Sequence, residues 1–156
     1  MQSQSVAFAL AVVLPVGVLA LASQVAAAAS REDVWKNFAR FGYALIPLDV
    51  AAHLAHNLFH LLAEGKAVVV TVGSLVGIGS SGGSTAIVGN GTIQVLQYAL
   101  LGLGAWASVY VARRIAVRRH GDSARARTVA RPYVAMVLLF AAVNAVLFAL
   151  PMVHRV

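Results

Sequence analysis

His53, His56 and His60 recur at i, i+3 and i+7 within the apolar stretch FGYALIPLDVAAHLAHNLFHLLAEG. On a helix, at roughly 100° per residue, the three imidazoles fall within an arc of about 60°. Asp49 falls inside the same arc and Glu64 at its edge. Neutral imidazole is the commonest protein ligand for copper, zinc, nickel or haem iron, and a carboxylate can ligate or orient a ligand's second nitrogen. His56 and His60, or His53 and His56, have a spacing that can share one ion, with further ligands supplied from elsewhere. Haem b needs axial ligands on opposite faces of its ring, so one helix cannot provide both. His53 or His60 would then pair with a histidine on another element, for which His154 is the candidate in this chain. Two other chemistries fit the same residues. Asp49, His53, His56, His60 and Glu64 can line a wet path for protons or quinol, or the imidazoles can act as polar glue between helices.

The setting is a bilayer. Of 156 residues, 60% are hydrophobic and 11% charged, against about 25% charged in an ordinary soluble domain. The net charge of +7 does not point to nucleic acid, because the basic residues are gathered: seven arginines lie between Arg113 and Arg131, flanked by apolar runs. That pattern follows the positive-inside rule, with anionic lipid headgroups as nearest partners. The chain has no cysteine, which excludes disulfides, thiolate-bound zinc and iron–sulfur clusters ligated by this chain. It also holds no Walker motif, HExxH or Ser/His/Asp pattern.

Four apolar runs of membrane-spanning length position these residues, over about 5–29, 41–63, 92–117 and 133–150. The expected fold is therefore a single all-α integral membrane domain of four transmembrane helices. The first run ends in VAAAAS, the small residues of a signal-peptidase site, but MQSQS before it lacks Lys and Arg, so we expect a retained helix loosened near Pro15. REDVWKNFAR reads as interfacial. The stretch Gly65 to Asn90 reads as an outer Gly/Ser-rich loop, with VVVTV and TAIV able to pair as a hairpin or lie on the membrane. In the third run Gly102, Gly104, Ala105 and Ser108 allow close helix contact, and Gln94, Gln97 and Asn144 read as interhelical hydrogen-bonding residues. With the arginines inside, the first run starts outside, the Gly/Ser loop lies outside, and His60 and His154 share the outer face.

FARFGYALIPLDVAAHLAHNLFHLLAEG, followed by TIQVLQYALLGLGAWASVYVARRIA and a last helix ending in LPM, resembles the carboxy-terminal membrane part of polyferredoxin-type bacterial membrane iron–sulfur proteins. The resemblance covers about Phe38 to Met152. It implies a histidine-bearing module working beside a redox partner, and it does not carry over cluster chemistry, because the cysteines are missing. Asp49-x3-His53 is similar to part of the copper site in a membrane subunit of copper monooxygenases, although Lys66 stands where that motif's next histidine belongs. The expectation is a multi-pass subunit of a bacterial inner-membrane redox complex. It would hold haem b or a transition metal, copper or zinc, and work with membrane redox subunits, an iron–sulfur protein or cytochrome, and quinone. With so little mass outside the spans, it is not expected to be a self-sufficient enzyme. A structural assembly subunit and a small copper-handling or transport protein are the competing expectations.

Overall fold

A computed structural model describes the backbone of residues 2–75 and 89–150, and their side chains except at 2–11, 59, 63, 64, 66–70, 72–75 and 90. All regular structure among these residues is helical. Helix α1 spans Gln2–Ser30 with Pro15 inside it, and α2 spans Val34–Gly42. A 3-10 turn at Tyr43–Leu45 leads into α3, Ile46–Leu75. Helix α4 is Asn90–His120 and α5 is Ala124–Ala149. The main packing pairs are α3 with α4, α4 with α5, α1 with α5 and α1 with α2, whereas α3 and α5 barely touch.

Three helices are long and apolar enough to cross a membrane, at Val12–Ser30, Gly91–His120 and Ala124–Ala149. Among the described residues α3 is not a fourth. Four such helices were expected, and three are found among the described residues.

Three boundaries also differ from the sequence reading. Helix α3 continues through VVVTV to Leu75, which removes the hairpin for that segment. β-branched residues disfavour helix only weakly, and a helix satisfies its backbone groups internally wherever water is scarce. The rest of the Gly/Ser stretch, 76–88, lies outside the described residues. Helix α5 starts at Ala124, with Pro132 inside it. Ser123 caps it by accepting from the Ala126 N–H at 3.3 Å, and burial of Ala126, Val129 and Ala130 outweighs the hydrogen bond that Pro132 cannot make. The arginines expected on a loop therefore stand on two helix ends. Gly121, at φ 70°, closes α4, and its N–H donates to the Val117 carbonyl at 2.8 Å.

The segment read as interfacial forms α2, which packs one face against the bundle. Asp33 caps α2 through the N–H groups of Trp35 and Lys36. One face of α2 buries Asn37 and Phe41, and the other exposes Trp35 and Lys36. Phe41 stacks on Tyr133 of α5 with ring centroids 3.9 Å apart and planes 2° from parallel. The Tyr133 hydroxyl donates to Ser23 Oγ at 3.2 Å, and Ser23 donates to the Leu19 carbonyl at 2.7 Å. Every member of this buried chain has a partner, as a low-dielectric interior requires.

Candidate functional site

The histidine face depends on how α3 is locked against α4. Leu48, Ala51 and Ala55 of α3 are buried toward Gln97, Leu101, Gly104 and Ser108 of α4. At Gly104 the backbones nearly touch: a Cβ built there would overlap Ala51 Cβ and lie 2.9 Å from the Pro47 carbonyl oxygen. Two polar ties fix the register. The Leu48 N–H donates to Ser108 Oγ at 2.9 Å, and Gln97 Nε2 donates to the Ala55 carbonyl at 3.1 Å. The close contacts expected at Gly104 and Ser108, and the interhelical role of Gln97, are thus observed. Gly102 has nothing within 4 Å of a built Cβ and takes no part. Gln94 reaches Tyr98 on its own helix, at 3.5 Å, and Asn144 donates to Phe140 on its own helix, at 2.9 Å.

With that seam fixed, helical periodicity turns Asp49, His53, His56 and His60 away from α4. All four are exposed. Asp49, His53 and His56 line one open groove of about 420 Å³, whose other wall is Asn144, Leu147 and Phe148 of α5. His56 and His60 meet edge to face, with ring centroids 4.9 Å apart. Asn57 does not join them, since its amide donates to the His53 carbonyl at 2.8 Å. The register places His53 level with the part of α4 between Gly104 and Gln97, midway along the α3–α4 seam.

The structure thus brings Asp49, His53 and His56 together and sets His60 against His56. Glu64 continues the helix, but its side chain, like the whole of His154, lies outside the described residues. Among the described residues no three of His, Asp and Glu converge on a common point that could hold a metal. The groove places two imidazoles and a carboxylate along one wall without gathering them at a single point.

A second polar centre, at the basic end of the bundle, was not singled out from sequence. Glu32 accepts from Arg40 Nη1 at 2.7 Å and from Arg119 Nε at 2.6 Å. The Arg119 bond, then Arg40, hold this carboxyl below its ordinary range against the opposing effect of burial. Asn37 is fully buried beside it, its amide donating to Ser30 Oγ at 3.1 Å. Arg125 of α5 donates to the Ala29 carbonyl at the end of α1, at 3.3 Å. The acidic pair in REDVWKN, set among basic residues, was the available signal.

No family model, curated protein or solved structure matches this chain.

Proposed function

We propose that this chain is a subunit of a bacterial inner-membrane redox complex, and that its histidine groove holds a metal or haem b jointly with a neighbouring subunit. The observation that carries this reading is the placement of Asp49, His53 and His56 along one open groove on an otherwise apolar surface. Ionisable groups facing lipid are costly and are normally covered or paired. In this reading α3 crosses the membrane with α4, since the two run antiparallel in close contact, and a partner helix covers the histidine side. His53 and His56 would hold copper or zinc, or His53 or His60 would hold haem, with Asp49 orienting a ligand's second nitrogen, and bound copper or haem would supply one-electron transfer. The missing ligands come from the partner or from His154. The resemblance to polyferredoxin-type membrane modules supports a redox partner.

The openness of the groove toward the bilayer favours a second use, docking of a quinol headgroup with proton transfer to Asp49 or His53. Both uses fall to one experiment. The protein is isolated with its native membrane partners, and its metal content and visible spectrum are measured for wild type and for His53→Ala, His56→Ala, His60→Ala and Asp49→Asn. A ligand change should abolish a Soret band or stoichiometric metal while insertion is retained, and Asp49→Asn should weaken retention by roughly 10- to 100-fold. Quinol docking predicts no cofactor loss but protection of the groove by a quinone analogue. A native assembly with neither cofactor nor quinone protection leaves a structural subunit as the correct description.

A further inference from the structure

The basic end of α4 carries a feature the histidine groove does not use. Trp106, Tyr110, Arg114 and Arg118 recur at intervals of four. Trp106 and Tyr110 stack, with centroids 6.1 Å apart and planes 18° from parallel. They are 69% and 50% exposed, so the ladder faces the surroundings of the bundle. Arg114 lies 5.8 Å from the Tyr110 ring centroid and donates from Nη1 to the Tyr110 hydroxyl at 2.8 Å. Tyr110, Val111, Arg114, Ile115 and Arg118 line a groove of about 380 Å³. Arg40 and Arg119 both pair with Glu32, but among the described residues no carboxylate lies within ion-pair distance of Arg114 or Arg118.

We propose that this groove is a specific binding site for the phosphate of an anionic phospholipid. Tyr110 holds one Arg114 nitrogen, which presents the remaining N–H donors of the fork to a phosphodiester. Arg118, one turn further on, adds a second cation that repels the ammonium of a choline headgroup and leaves an anionic one preferred. Val111 and Ile115 receive the glycerol and first methylenes, and the Trp106–Tyr110 stack stands at the depth where aromatic rings meet headgroups. Pairing of Arg119 with Glu32 confines the site to one side of α4.

The test uses the full chain, purified in a mild detergent, with lipid retention read by native mass spectrometry. Phosphatidylglycerol and phosphatidylcholine are offered in equal amounts. Wild type should keep the anionic lipid preferentially, and Arg114→Gln with Arg118→Gln should lower its retention by about 10- to 30-fold. Arg113→Gln with Arg127→Gln removes equal charge outside the groove and should keep the preference. Equal loss in both double variants means diffuse attraction and overturns the site, as does no loss in either. If the groove variant fails to insert, Tyr110→Phe, which removes only the hydroxyl, must still weaken retention. Binding of glycerol phosphate or inorganic phosphate as tightly as the lipid would also overturn the assignment, by making the site one for soluble anions.

Discussion

Gly104→Ala tests whether the α3–α4 seam positions the histidine face. In an unencumbered helix this change is favourable by about 1 kcal/mol, so its sign alone is diagnostic. Here the new methyl would overlap Ala51 Cβ, lie 2.9 Å from the Pro47 oxygen and lie 3.2 Å from Leu48 Cα. Ordinary carbon contacts are about 3.5–4.0 Å. The obstructing atoms are backbone or Cβ atoms, so no rotamer change relieves them and the helices must part by about 1 Å. That shift also carries the Leu48–Ser108 and Gln97–Ala55 bonds, now 2.9 and 3.1 Å, past hydrogen-bonding distance unless the side chains follow. Overpacking costs about 1–3 kcal/mol, and each weakened bond adds up to about 1 kcal/mol. The net effect is a loss of roughly 2–4 kcal/mol, or a fall of about 5–15 °C in the apparent midpoint. Thermal unfolding in detergent, followed by helical circular dichroism, measures it. Gly102→Ala is the internal control and should be neutral or stabilising, since nothing lies within 4 Å of its built Cβ. Ala51→Gly should rescue Gly104→Ala in part, with the Pro47 clash remaining. If Gly104→Ala matches or exceeds wild type, the close crossing is not what holds α3 in place.

Glu32→Gln should lower stability near neutral pH by about 1 kcal/mol, measured by chemical unfolding. Because the Glu32 carboxyl is held below its ordinary range, its contribution is present above that range and is lost as pH falls through the depressed value. The variant should therefore lose the acid-side slope this group gives wild type, and an unchanged slope would refute the pairing. Arg31, at φ 56°, adopts a left-handed conformation where glycine is easier. Arg31→Gly should raise the midpoint by about 2 °C in the same assay, and a fall would show that the side chain contributes more than its backbone costs.

Much of this architecture was legible because long apolar runs and small residues at helical spacing carry their own physical meaning. The third run announced Gly104, Ser108 and Gln97 as contact residues, and the arc of Asp49, His53 and His56 followed from periodicity alone. Other parts depended on tertiary partners. The inward face of α2, with Asn37 and Phe41, is too short to reveal its direction before Tyr133 and Ser30 are placed against it. The start of α5 ahead of Pro132 is decided by burial of Val129 and Ala130, which local propensity does not register. Glu32 finds Arg119 from 87 residues away, and no local pattern encodes that distance. The α5 wall of the groove, Asn144, Leu147 and Phe148, was likewise invisible without the packing of α5 on α4.

Positions 48, 51 and 55 of α3 grip α4, while positions 49, 53 and 56 line the groove, so two vocabularies are interleaved on one helix. They occupy opposite sides and are read by different neighbours. Substitutions in the groove set can therefore accumulate without loosening the bundle, since those positions do not pack against α4. Exchanging Asn144, Leu147 or Phe148 on α5 reshapes the facing wall while the α3–α4 register stays as it is. A fold organised this way can reshape its groove while keeping how it stands, because the instructions for each are written on separate sides of the same thirty residues.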